Sequence, residues 1–159
     1  MTTIEKLEAA LAAAFPAVPI DRAMIDEPTA NWGVYDDPAG LAALEGKTWR
    51  ELPAELLVRH PTLPIFAGDA LFRATLPGYL RYLLHERRQF NDLPFQLGSQ
   101  LTRGGDPALH AKFDRRIAPL DPAQRAAVRD VVAHLAAVPP MQETMSRALA
   151  TWDHLGGDR

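Results

Sequence analysis

Residues 48–84, TWRELPAELLVRHPTLPIFAGDALFRATLPGYLRYLL, hold one of the chain's three tryptophans, two of its three tyrosines, and prolines spaced as helix starts. Proline is tolerated in a helix's first turn, because the N–H it lacks would have had no intrahelical partner there. Thr48 and Glu51 have the spacing of a capping box, and Pro53 restarts a helix that runs to Arg59. An extended segment, Pro61–Phe66, comes next. Gly68–Asp69 then opens a helix carrying Leu71 and Phe72, and Pro77 begins another with Leu80, Leu83 and Leu84 on one face. The pattern predicts short helices in close contact and an all-α fold.

The flanks extend this pattern. Thr2 with Glu5 makes a capping box ahead of Ile4, Leu7, Leu11 and Phe15 at helical spacing, and Pro16 closes that segment. Residues 16–36 read as a Pro-rich connection carrying Trp32 and Tyr35, long enough that part of it is expected to order against the body or to bind something. Asp37–Pro38 starts a short helix that Gly46 ends. Asp106–Pro107 and Asp121–Pro122 each place a capping carboxylate before a proline at the first helical position. From Pro122 to about Ala137, Val128, Val131, Val132 and Leu135 form one apolar stripe, with Arg125, Arg129 and Asp130 turned away. A last helix, about 141–155, presents Met141, Met145, Leu149 and Trp152. No strand alternation persists, so the expectation is one compact multi-helix domain over 1–159, built of short Pro-started helices.

Composition narrows the function classes. The chain has 159 residues, 47% hydrophobic and 23% charged, which is ordinary for a globular protein and argues against intrinsic disorder. A net charge of −3 offers no general attraction to nucleic acid or to an anionic membrane. Without cysteine there is no disulfide, thiolate metal site or thiol nucleophile. Thr2, Thr3 and Glu5 after Met1 do not make a signal peptide, and the apolar runs around Leu11 and Val131 are too short to span a bilayer. A cytoplasmic location is the expectation. Fourteen arginines against three lysines, with abundant alanine, suggest a GC-rich bacterial genome.

Three elements in order, LEGKTWRELPAELL, LPIFAGDALFRATLPGYLRYLL and LDPAQRAAVRDVVAHL, resemble an uncharacterised bacterial domain-of-unknown-function family, numbered six-seven-one-four. Gly46, Lys47 and Trp49 are similar to its GK-x-W element. Phe72, Leu76, Pro77, Tyr79 and Leu80 are similar to its LP-x-YL element. Leu120, Pro122, Gln124, Arg125, Ala126 and Val128 are similar to its L-x-P-x-QR-A-x-V helix start. The likeness spans roughly Ile4 to Ala137. The cysteine and acidic cluster often found before GK-x-W are missing, which counts against a metal or redox site, and Ala67–Gly68 replaces a usual Thr–Pro. The resemblance implies the helical fold and no particular activity.

No catalytic constellation stands out. The histidines at 60, 85, 110, 134 and 154 form no HExxH arrangement and no i, i+4 pair, so neither a metal nor a cofactor is expected. Ser99 and Ser146 lack a nucleophile-elbow context, capping explains Asp36 and Asp37, and Gly104–Gly105 lacks the lysine and preceding strand of a phosphate loop. One polar face rises above the rest. Arg81, His85 and Arg88 recur at i, i+4 and i+7 with Tyr82 beside them; this is either a solvated face or a surface for an acidic protein partner, with Trp32 and Tyr35 as a further candidate surface. The expected function is a non-catalytic cytoplasmic protein-binding module, an adaptor or immunity-like protein. The alternative is a small-ligand binder or small enzyme with a pocket near Trp49, Tyr79, Arg81 and His85.

Overall fold

A computed structural model describes residues 1–27, 30, 41–86 and 92–156. Among these the regular structure is helical: α1 (Thr3–Ala14), α2 (Arg22–Ile25), a 3-10 turn (Trp49–Glu51), α3 (Ala54–Arg59), α4 (Leu63–Phe66), α5 (Asp69–His85), α6 (Leu93–Gln100), α7 (Pro107–Ile117), α8 (Pro122–Ala136), a second 3-10 turn (Pro139–Met141) and α9 (Gln142–Gly156). The all-α, multi-helix reading holds, and α6, α7 and α8 each carry proline in the first turn.

The predicted caps form. Thr2 Oγ1 accepts from Glu5 N at 3.2 Å while Glu5 Oε2 accepts from Thr2 N at 2.6 Å. Asp121 and Gln124 reciprocate in the same way at 2.8 and 3.0 Å, and Asp106 Oδ1 accepts from Ala108 N at 2.7 Å. Each bond satisfies a backbone donor that the first turn of a helix leaves without a partner. The stripe on α8 is buried as its spacing requires: Val128, Val131 and Val132 are fully enclosed and Leu135 nearly so, against α1, α5 and α9. Arg125 is half-buried instead of turned away, and it donates to Ala118 O at 3.0 Å.

Two local readings are corrected. Pro77 does not begin a helix: α5 runs unbroken through it for 17 residues. An interior proline forfeits one helical bond and costs about 3 kcal/mol. Against that, Leu71, Phe72, Leu76, Leu80 and Leu83 are all buried by the continuous helix, whose enclosed residues run most of the way around it. Pro61–Phe66 is not extended either, because residues 63–66 form α4 with Pro64 in the first turn. The connection after Pro16 contains α2, capped by Asp21 accepting from Met24 N at 2.9 Å. It is pinned to the turn at 44–47 by Ile20 N to Lys47 O (2.8 Å) and Gly46 N to Ile20 O (2.7 Å). Gly46 makes that turn at φ +81°, a conformation that a Cβ would strain. Residues 28–29 and 31–40, and with them the start of the helix expected at Asp37–Pro38, lie outside the described residues; Leu41 and Ala42 are helical.

Trp49 is a core residue, 3% exposed, its indole donating to Phe15 O at 3.3 Å. Arg50 reaches back to cap α1 through Ala12 O at 3.1 Å, supplying the cation that the last turn of α1 lacks.

Where α6 crosses α9, the contact depends on Gly98. A Cβ there would meet the Thr144 methyl at 2.2 Å, well inside van der Waals contact. Gly98→Ala is therefore expected to destabilise the protein by about 1–2 kcal/mol through overpacking. In a Thr144→Ala background the same change is expected to stabilise by about 0.5–1 kcal/mol, because the obstructing methyl is gone and alanine is the better helix former. Urea titrations of the four proteins check this; equal effects in both backgrounds would refute the contact.

Candidate functional site

The face singled out on α5 is only partly solvated. Arg81 is half-buried, its guanidinium carbon 5.9 Å from the centre of the Trp49 ring, which Arg50 also approaches at 5.2 Å. Tyr82 is half-buried and bonds Glu86, while exposed His85 meets Glu8 of α1 at 2.8 Å. Arg81, Tyr82 and His85 line a groove of about 260 Å³ with Leu52, Leu57 and Glu86. Trp49 and Tyr79 do not join them there. Tyr79 is fully buried in the core; burial pushes its phenol well above the usual range, against a smaller opposite effect of the Thr75 hydroxyl. That hydroxyl group of Tyr79 makes no well-formed hydrogen bond among the described residues. Arg88, Trp32 and Tyr35 lie outside the described residues.

A second site, unforeseen in the sequence, opens between α6, α7 and α9. It is a cleft of about 360 Å³, lined by Phe95, Ser99, Gln100 and Thr102 from α6 and its exit, by Leu109, Lys112, Phe113 and Arg116 from α7, and by Thr144 and Arg147 from α9. Phe95 and Leu109 are exposed at its edge, 61% and 53% accessible, where large apolar side chains would ordinarily be covered. Three cations line it. Among the described lining residues there is no carboxylate and no imidazole.

The deepest of the cations is Arg116, 1% exposed. On α7, Phe113, Arg116 and Ile117 share one buried stripe, so the helical period that buries Phe113 buries the guanidinium too. All five of its N–H groups are engaged. Nη1 donates to Pro64 O (2.7 Å) and Gln100 Oε1 (2.9 Å), Nη2 to Ala67 O (2.6 Å) and Ile65 O (3.3 Å), and Nε to Asp69 Oδ1 (3.4 Å). Its planar face lies over the Phe72 ring, 4.3 Å from the centre. The guanidinium thus fills the corner between the last carbonyls of α4 and the first turn of α5, where Asp69 also accepts from Arg115 at 3.0 Å. Burial pulls the Arg116 group down to about 10 despite the opposing pull of Asp69. It remains charged at neutral pH and acts on the cleft through its field, having no donor to spare.

Lys112 differs. It is half-buried and, among the described residues, forms no ion pair; its one hydrogen bond runs to Ile65 O at 2.6 Å. Burial, then the neighbouring Arg116, bring its ammonium down to about 8, with Asp69 acting the other way and Arg115 adding a small further decrease. At the rim, exposed Arg147 pairs with Glu143 at 2.7 Å, a contact that solvent screens.

The chain matches no family model, no curated protein and no solved structure. No family model supports the likeness carried by the GK-x-W, LP-x-YL and L-x-P-x-QR-A-x-V elements. Among the described residues no helix is long and apolar enough to cross a membrane, and no three metal-ligating side chains converge.

Proposed function

We propose that the protein binds a small anionic organic molecule, without turning it over, in the cleft between α6, α7 and α9. One observation carries this reading: Lys112, Arg116 and Arg147 converge on an apolar-edged cleft that no described carboxylate or imidazole lines. A charge-assisted hydrogen bond from Lys112 would orient the anion, and Phe95, Phe113 and Leu109 would cover an aromatic or acyl body. Turnover is not part of the reading, because no carboxylate or imidazole stands beside the lysine among the described lining residues.

The test compares p-toluate and phenyl phosphate with the neutral p-tolyl alcohol, by calorimetry and thermal shift. The anions are expected to bind saturably and raise Tm while the alcohol does not. Lys112→Met combined with Arg147→Ala is expected to weaken anion binding on the order of ten-fold or more, each lost charge-assisted contact being worth about 1.5–3 kcal/mol. Absence of saturable anion binding at millimolar concentration, or equal binding of the alcohol, would sink the reading.

A second reading, a protein partner presenting acidic side chains, is favoured at the α3–α5 groove. Arg59, Arg81 and His85 border it or the adjoining surface, alongside exposed Val58. Glu55 and Glu86 border the same surface and weaken its pull on an acidic partner.

A further inference from the structure

We propose that Lys112 is a carbonyl-reactive amine, condensing with the aldehyde or ketone of a small anionic ligand in the α6–α7–α9 cleft to form an imine at Nζ. This rests on the cleft being an anion site, and it adds a covalent chemistry and a narrower ligand class, small oxo-carboxylates and phosphorylated or carboxylated aldehydes.

The geometry supplies what the reaction needs. A lysine attacks a carbonyl only as the free base, and an ordinary lysine is almost entirely protonated at neutral pH. Lys112 has been deprived of the things that keep lysine protonated. Its side chain is half-buried in the cleft wall, it forms no ion pair among the described residues, and the Arg116 guanidinium donates to the same carbonyl, Ile65 O, that Lys112 uses. The charged groups around it are Arg115 and Arg116 on its own helix, Asp69 on α5 and Arg147 on α9. Asp69, the one acid of that set, is already engaged by both Arg115 and Arg116. As free base, the amine can keep one N–H on Ile65 O and still offer its lone pair.

The balance is simple. Nζ attacks the carbonyl carbon, a C–N bond forms, and the carbonyl oxygen takes up a proton to give a carbinolamine. The carbinolamine hydroxyl then leaves as water, taking the one remaining Nζ proton to give a neutral C=N, or a proton from solvent to give the protonated imine. No oxidant or reductant enters. With the anionic end of the ligand held at the mouth by Arg147, the carbonyl is kept beside Nζ, and proximity favours condensation over release. With no carboxylate or imidazole among the described lining residues, the chemistry stops at a reversible imine, so the site captures a reactive carbonyl compound and releases it unchanged.

Among lysines only Lys6 and Lys47 compete, and because α-amines ordinarily titrate at about 7.7–8, that of Met1 is mapped on its own peptide and left out of the comparison. Full-length protein is incubated with p-formylbenzoate and sodium cyanoborohydride, and labelled sites are mapped by peptide mass spectrometry from pH 6 to 10. Non-covalent binding is followed in parallel with p-toluate, which has the same anion and no aldehyde. With a group titrating near 8, the free-base fraction at pH 7 is about 10%, against well under ~0.1% for an ordinary lysine. Lower basicity also lowers nucleophilicity, so the expected preference at pH 7 is on the order of ten-fold for Lys112 over each other lysine. The Lys112 rate is expected to level off above pH 8 and to fall when p-toluate is added. A Lys6→Arg/Lys47→Arg variant should label as wild type does, and Lys112→Arg should lose the fast site while still binding p-toluate.

If p-toluate binds but the three lysines label at equal rates, the covalent inference is wrong and the anion site stands. If p-toluate does not bind and labelling is even, both fall. If Lys112 labels fast but p-toluate neither binds nor protects, the amine's reactivity is upheld and the ligand-class part of the inference is overturned.

Discussion

Replacing Arg116 with alanine is expected to lower the free energy of unfolding by about 3–5 kcal/mol, the range for removing one partner of a buried, hydrogen-bonded charge pair. Truncation leaves the carbonyls of Pro64, Ile65 and Ala67 without the donors that now satisfy them, although Ile65 O keeps Lys112. It also takes one of two guanidinium partners from buried Asp69, leaving its ion pair with half-exposed Arg115. Each buried acceptor left empty costs about 1–3 kcal/mol, and the Phe72 face loses its cover. Arg116→Lys is not a conservative rescue, because one ammonium cannot reach five acceptors spread around a plane. It should retain less than half of the lost stability. Urea denaturation followed by circular dichroism measures both variants, and an alanine cost below about 1 kcal/mol would show the corner to be held by packing alone.

Trp152→Ala is expected to cost about 3–5 kcal/mol, the range for deleting a fully buried aromatic side chain. The indole is 1% exposed, donates to Leu101 O at 2.9 Å, and meets Phe113 edge-on with ring centres 6.4 Å apart. Trp152→Phe separates the contributions: it keeps much of the volume and gives up the bond to the carbonyl that ends α6, so about 1–2 kcal/mol should be lost. Trp152 stands behind Phe113, a wall of the cleft, so the alanine variant should also weaken p-toluate binding while leaving the α3–α5 groove untouched. Unfolding curves and calorimetry on the same samples decide the matter. Full stability in Trp152→Ala would contradict the packing of Trp152 against Phe113 and the end of α6, and full stability with lost binding is not an outcome the structure allows.

What could be read from the chain, and what could not, divides along the range of the forces involved. The capping box at Thr2, the capping carboxylate at Asp121 and the valine stripe of α8 are decided within four to seven residues, and they stand as read. Pro77 was misread because its local cost is outweighed by the burial of Leu71, Phe72, Leu76 and Leu80, which only the folded chain displays. α4 was missed because its closing carbonyls are satisfied by Arg116 and Lys112, both on α7. The α6 helix had a signal that went unused: Asp92 before Leu93–Pro94, then Leu97 and Leu101 at helical spacing. The cleft had a fainter one. Arg116 falls at i+3 from Phe113 and next to Ile117 on an apolar stripe, and an arginine on the buried stripe of a helix needs acceptors from elsewhere. Which acceptors, and that Lys112 would stand beside it with no ion pair among the described residues, follows only from the meeting of α4, α5 and α7.

The Arg116 corner also imposes an order of assembly on a chain emerging from a ribosome. Its acceptors at Pro64, Ile65 and Ala67 are made 49–52 residues before the guanidinium that satisfies them. At synthesis speeds of about 5–20 residues per second, those carbonyls wait roughly 2–10 seconds, facing water or a chaperone. The turn that joins α4 to α5 is thus a late closure, completed by translation of α7, and a nascent chain halted before Arg116 should leave it open to proteolysis however well α1 and α5 have already met.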